Sequence, residues 1–201
     1  MSHAWLREEQ SELASLKILD AAARAFAELG VSGTRMGQIA RYAGCSRGTV
    51  YRYFKTRRDL HLAYIDRSAR RLSGELSREL AGIGDPRTRL VEGLLGALRK
   101  VREDPGLIAW FDPQDAGATA RLSRDSDVVE ALSAAFVDRL ARPGEAVDAN
   151  GRRARWLVRI IVSLLTIPAE NEAEERRLVE EFVVPGLMKA SPGAPREAGR
   201  R

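Results

Sequence analysis

Seven cations and no anion separate Glu28 from Asp59: Arg35, Arg41, Arg47, Arg52, Lys55, Arg57 and Arg58. Thr34, Thr49, Tyr51 and Tyr53 are interleaved with them. Cationic side chains at this density neutralise phosphates, and threonine and tyrosine hydroxyls donate to phosphate oxygens. An arginine also has the fork needed to read the O6/N7 edge of guanine. The chemistry on offer is recognition of a polyanion rather than bond making. Charge alone leaves a second reading open, a solvated basic face that touches nothing.

No catalytic set competes with this reading. One cysteine, Cys45, and two histidines, His3 and His61, give no metal-ligand cluster. There is no Asp-rich metal motif, no Ser/Cys/His nucleophile set and no phosphate loop, so no cofactor is expected. Cys45 reads as a small turn residue rather than a redox sensor, and His61 as a surface or packing residue.

The elements that must hold the basic residues are helical. Ile18, Ala22, Ala25, Phe26 and Leu29 recur at steps of three and four, which predicts a first helix of about four turns that stops at Gly30. Thr34 or its successor opens a second helix, with Ile39, Ala40 and Ala43 inward and Gly44 at its close. Ser46 is an N-cap for a third, on which Val50 and Phe54 lie four apart on the buried side. Thr56 caps a fourth that runs past Ser73. Asp85-Pro86 and Asp104-Pro105 each place proline at a first helical position. They open a helix through Leu90, Leu94, Leu98 and Val101, and a short piece from Leu107 to Phe111. Gln114–Ala120 is loop-like, and a helix follows from Asp127 to about Arg142. Pro143 to Gly151 reads as a loop, and helices at 152–167 and 173–188 complete an all-α chain. The second of these carries Leu178, Phe182, Val183 and Leu187 on one side. Ser191–Arg201 has nothing to bury and reads as a disordered tail.

The 201 residues, 44% hydrophobic and 30% charged with a formal charge of +5, describe a folded globular chain. Arg7, Glu8 and Glu9 interrupt any apolar run at the N-terminus, so no secretory signal is expected. The longest apolar run, Trp156–Ala169, is broken by Arg159 and is too short to span a bilayer. With its single cysteine, the chain is expected to be cytoplasmic and to have no membrane partner.

Three coupled stretches resemble the DNA-binding domain of the TetR/AcrR family of bacterial transcriptional regulators. Residues 18–30 are similar to the family's first helix. Ile39-Ala40 and Ala43-Gly44-Cys45-Ser46 are similar to its second helix and turn. Thr49 to Phe54, then Lys55 to Leu60, are similar to the recognition helix and the start of the fourth. Residues 182–187, Phe-Val-Val-Pro-Gly-Leu, resemble the way many members end. The resemblance implies a helix-turn-helix domain over residues 1–60 and a ligand-sensing, dimerising helical domain over 61–190. A helix that enters the major groove needs a small, tightly packed support, which Ala40, Ala43 and Gly44 supply.

On that scaffold Thr34, Arg35, Arg47, Gly48, Thr49, Tyr51, Arg52, Tyr53 and Arg57 are the candidate DNA contacts. Arg47 would read guanine, Gly48 would allow close approach, and Tyr51 and Tyr53 would donate to phosphate. Tyr53 has an alternative as plain core. Arg57 stands where the family usually has a lysine gripping phosphate. Gly37 stands where many relatives carry a charged residue, with Arg35 the nearest cation to replace it.

The family places its ligand among the middle helices, where Leu94, Leu98, Leu107, Trp110, Phe111 and Phe136 are the candidate walls of an apolar cavity. Ile160, Leu164, Leu178 and Phe182 are candidates for a homodimer interface. The reading that follows is a homodimeric repressor of double-stranded operator DNA, released by a small, apolar effector. Two alternatives are an all-α enzyme whose basic segment is merely solvated, and a nucleoid or adaptor protein without a sensor pocket.

Overall fold

A computed structural model describes residues 3–113, 125–140 and 147–188, with side chains described from residue 9 and not for 147–150. All regular structure among them is helical. The helices are α1 (His3–Leu29), α2 (Met36–Ala43), α3 (Arg47–Tyr53), α4 (Arg57–Glu79), α5 (Pro86–Glu103), α6 (Pro105–Ile108), α7 (Asp127–Asp138), α8 (Val147–Thr166), α9 (Glu172–Leu178) and α10 (Val184–Met188). A 3-10 turn, Ala109–Phe111, extends α6, and a π segment, Val179–Val183, joins α9 to α10.

The caps read from the sequence fix where helices start. Ser46 Oγ accepts the Thr49 N–H at 3.0 Å, and Asp85 accepts that of Thr88 at 2.8 Å. Asp104 accepts from Gly106 and Leu107 at 3.0 and 3.1 Å. Thr56 and Asp59 cap each other reciprocally, side chain to backbone, at 3.1 and 2.9 Å. Gly44 adopts φ 66°, the left-handed conformation that ends α2 and turns the chain into α3.

Four sequence expectations are corrected. First, α1 starts at His3, three or more turns ahead of its apolar stripe, and Leu29 is 40% exposed rather than part of that stripe. Second, α8 starts at Val147, so the loop expected up to Gly151 ends before it. Third, α4 runs through residue 60, where a domain boundary was expected: Leu60, His61 and Tyr64 pack into the first bundle and Arg67 reaches back to Leu16 and Asp20 of α1, while Ile65, Ser68, Ala69 and Leu72 line a cavity in the second. Fourth, the expected single helix over 173–188 carries a π turn. Pro185 lacks the N–H that an α-helix needs and crowds the carbonyl four residues earlier, so the widened turn falls just before it. The change of phase buries Val179, Val183, Val184 and Leu187 and leaves Phe182 68% exposed, off the stripe that sequence periodicity assigned to it. The expected loop at 114–120 and the expected tail at 191–201 lie outside the described residues.

Two joints position the second half, one inside it and one against the first bundle. Arg102 on α5 meets the buried Glu175 on α9 bidentately at 2.6 and 2.7 Å, and donates to the Leu164 carbonyl of α8 at 3.1 Å. At the other joint, α6 lies against α1 so closely that a Cβ on Gly106 would sit 2.7 Å from Tyr64 Oη and 3.0 Å from the Ala23 carbonyl oxygen. Only glycine fits without moving backbone. Gly106→Ala should therefore destabilise the protein by about 1–3 kcal/mol, read as a lower urea midpoint at unchanged slope. An unchanged midpoint would mean that α6 is not held in this contact.

Candidate nucleic-acid interface and apolar cavity

The support for α3 combines large apolar side chains with small ones. Ile39, Ala40, Val50 and Phe54 are buried under α1, and Ala43 and Cys45 pack against the same core. A contact outside the sequence argument fixes α1 to α2. Tyr42 Oη donates to Glu28 at 2.6 Å, and Arg24 donates to the Tyr42 carbonyl at 2.9 Å. The hydrogen bond to the Glu28 carboxylate, with burial and its charge, raises the Tyr42 pKa. Nothing in the periodicity pairs residues 28 and 42; only the α1–α2 crossing does.

Six of the seven cations are exposed, and five of them, Arg35, Arg41, Arg47, Arg52 and Lys55, have no carboxylate partner among the described residues. On α3 two arginines lie over tyrosines. Arg47 is 5.3 Å from the Tyr51 ring centroid and donates to its hydroxyl at 3.3 Å. Arg52 is 5.0 Å from the Tyr53 ring and donates to its hydroxyl at 3.1 Å. Both tyrosines are half-buried against the core, so each ring braces an arginine while its hydroxyl stays at the surface. Thr49 Oγ1 is 2.9 Å from Ser46 Oγ, at the start of the same helix. Gly48 is exposed beside them.

Three cationic or hydroxyl side chains are spent elsewhere. Thr34, expected at the DNA, is fully buried, and its hydroxyl donates to the Gly30 and Ala25 carbonyls at 2.6 and 3.2 Å. It satisfies the end of α1, so its side chain is closed to a phosphate. Arg57 turns back from the surface to donate to the Val31 and Ser32 carbonyls at 2.5 and 3.3 Å, and to His61 Nε2 at 3.3 Å. Its expected place among the outward phosphate ligands is corrected: it clamps the α1–α2 connection to α4. Arg58 pairs with Asp125 at 2.8 Å, ahead of α7. Arg35 remains exposed, with its backbone N–H donated to Gln38 at 2.7 Å.

Behind this unit lies a cavity of about 430 Å³ between α4, α5, α6, α7 and α8. Leu94, Leu107, Trp110, Phe111 and Phe136 line it as expected from the sequence, and Leu98 does not. On α5 the stripe Arg89, Gly93, Ala97, Val101 faces the cavity, while the neighbouring stripe Leu90, Leu94, Leu98 faces the core, and Leu94 straddles the two. Gly93 is where α7 comes closest: a Cβ there would lie 2.6 Å from Phe136 Cζ.

Trp110 belongs to both the cavity wall and an aromatic cluster. Its ring lies edge-on to Phe26 of α1 at 5.2 Å and to His61 of α4 at 4.8 Å, and stacks with Tyr64 at 5.9 Å. His61 is 7% exposed. Burial, and then the Arg57 charge, lower its pKa from 6.5 to about 4. The neutral ring is also the form that can accept from Arg57. Burial, with the Asp104 charge, raises the Tyr64 pKa.

Residues 18–64, the α1–α4 unit just described, match the family model of bacterial regulatory proteins of the tetR family. The whole chain is similar to an uncharacterized HTH-type transcriptional regulator of Mycobacterium tuberculosis, 42% identical over 97% of this chain and 95% of that one. The chain belongs to the TetR family. It is an all-α, DNA-binding transcriptional regulator of the helix-turn-helix type. The AcrR regulator of Shigella flexneri is 41% identical over 40% of this chain and 38% of its own. Among solved structures, the TetR family repressor AlkX from Dietzia sp., implicated in biodegradation of n-alkanes, superposes with a TM-score of 0.61. The identity is 24%, over 88% of this chain and 96% of that one, a likeness of fold. No described helix of this TetR-family regulator is long and apolar enough to cross a membrane.

The cluster gives a pH signature. Unfolded, His61 protonates near its ordinary value of 6.5; folded, it resists until about pH 4. Its contribution is therefore complete above pH 6.5 and is lost progressively as pH falls toward 4. The shift corresponds to roughly 3 kcal/mol. His61→Gln should remove that part of the acid slope, measured as unfolding free energy at pH 7, 5.5 and 4 beside the wild type. Parallel curves for the two proteins would refute a buried neutral His61.

Proposed function

We propose that this regulator is a homodimeric repressor that reads a pseudo-palindromic operator through α3 and lets go when a small molecule fills the cavity. The observation that carries the reading is the double placement of Trp110. A ligand that displaces one face of the indole acts directly on Phe26, His61 and Tyr64, the residues that seat α1 and α4. Gly106, packed against Ala23, extends the same contact along the backbone. A ligand works here only through a difference in affinity: it must favour the non-binding arrangement by a few kcal/mol to empty the operator.

On the DNA side, Arg47 is the base reader, with Thr49, Tyr51, Arg52 and Tyr53 holding backbone phosphates and Arg35 a further contact. Gly48 serves approach alone. A Cβ there would meet nothing closer than Ser46 Oγ at 3.7 Å, so the fold itself does not demand glycine. Arg47→Ala should weaken operator binding by about 1–3 kcal/mol and relax preference at one base pair. The test is a mobility-shift titration against the chain's own upstream intergenic DNA and single-base variants, at two salt concentrations. A uniform loss across all sequences would remove Arg47 from base reading; no preference of the wild type over random DNA would sink the repressor reading.

The dimer reading is supported by an apolar surface at the far end. Phe182 is 68% exposed and Ile167 74% exposed, and Ile160, Leu164 and Leu178 are each half-buried. Large apolar side chains grouped on the last helices are suited to a two-fold, self-complementary contact, which would set two α3 helices about one DNA turn apart. Phe182→Glu should convert the protein to monomer in sedimentation velocity and weaken operator binding with it. A dimer that survives this substitution would move the interface elsewhere.

A further inference from the structure

The cavity has a direction. On α4 its lining residues run from Ile65 to Ser77, about 18 Å at the helical rise per residue, and Leu80 and Ala81 continue the wall just past the helix end. That span is long for a volume of about 430 Å³, so the space is a slot along α4 rather than a sphere. One end is closed by Trp110 and faces the DNA-reading unit. The opposite end is marked by the contact between Leu80, Gly93 and Phe136. Arg89 lies one turn before Gly93 on α5, and Arg139 about one turn after Phe136 at the end of α7. Both line the cavity, so two arginines stand at the end away from the DNA-reading unit.

The charge there is of one sign. No Asp or Glu lines the cavity, and neither arginine has a carboxylate partner among the described residues. Arg89 is oriented from behind, donating through Nε and Nη2 to the Ile83 carbonyl, which leaves its remaining N–H groups for a ligand. The two acids nearest Arg89 along the chain are engaged elsewhere: Glu92 accepts from Arg176 at 2.8 Å, and Asp85 gives its carboxylate to Thr88, at 2.8 Å from the backbone N and 2.7 Å from Oγ1. The rest of the wall is aliphatic or aromatic apart from serine hydroxyls.

We propose that the effector is a single-chain amphiphile with an anionic head: its alkyl tail lies along α4 toward Trp110, and its carboxylate is held by Arg89 and Arg139. The inference rests on the reading of the cavity as the effector site and adds the ligand's chemical class and orientation. Paired guanidiniums strengthen a carboxylate contact and repel a cationic head, so selection works in both directions. A neutral chain gains the tail contacts alone.

The test uses three probes of equal tail length below their micellar concentrations: dodecanoate, dodecanol and dodecyltrimethylammonium. Calorimetric binding to the full chain without DNA is compared with release of operator DNA. Dodecanoate should bind at least tenfold more tightly than dodecanol, with no measurable binding of the cationic probe, and should release DNA at the lowest concentration. Arg139→Met alone should reduce the preference for the anion, and Arg89→Met with Arg139→Met should abolish it while dodecanol binding persists. Arg99→Met, which removes an equal charge from α5 outside the cavity, should change nothing. If Arg89→Met fails to fold, the Arg139→Met result carries the comparison. Equal binding of dodecanoate and dodecanol, both still releasing DNA, would overturn the anionic head and leave the cavity reading in place. Absence of binding by all three would overturn both.

Discussion

Everything in this chain hangs on a helix of one turn. Residues 105–111 carry side chains, Trp110 the largest, that belong both to the cavity wall and to the core of the DNA-reading bundle. Four rings, Phe26, His61, Tyr64 and Trp110, meet there in five pairs within 6 Å, three of them with Trp110 itself. Edge-to-face and stacked rings are directional, so they resist tilt as well as separation. Gly106 brings the backbone into the same joint. A rigid joint is what a sensor needs, since strain applied at a soft contact would be absorbed locally.

The electrostatics of the reading head follow a division of labour. Of seven like charges packed into thirty residues, Arg57 is held by the Val31 and Ser32 carbonyls and Arg58 is paired with Asp125, and both stabilise the joint between α4 and its neighbours. Arg47 and Arg52 rest on tyrosines belonging to their own helix, an arrangement worth about 0.5–1 kcal/mol for each exposed pair. The rings thus restrict both guanidiniums in the free protein.

Much of this was legible in the sequence, for identifiable reasons. Ser46, Thr56, Asp85 and Asp104 mark helix starts because capping is local chemistry, settled within three residues. The walls of the cavity were legible wherever an apolar residue had one possible face. Leu98 was misplaced because two adjacent stripes on α5 are both apolar at steps of four, and only the position of α7 decides which one is core. Thr34 and Arg57 were misplaced because their acceptors, the carbonyls around Gly30 and Val31, exist only once α1 has ended and α4 has docked. The first turns of α1 were missed because they form without an amphipathic stripe; Leu13 and Leu16 stay 53% and 37% exposed.

The π segment before Pro185 has a consequence for how such a protein changes over generations. A π turn holds one residue more than the α turn it replaces, so all side chains after it are rotated by about 100°. Loss of a single residue between 179 and 183 would restore regular winding without altering one apolar side chain. It would turn Val184 and Leu187 away from the interior and change which face meets solvent beside Phe182. In this corner of the molecule, which apolar side chains are buried and which meet solvent depends on helical phase as well as on composition.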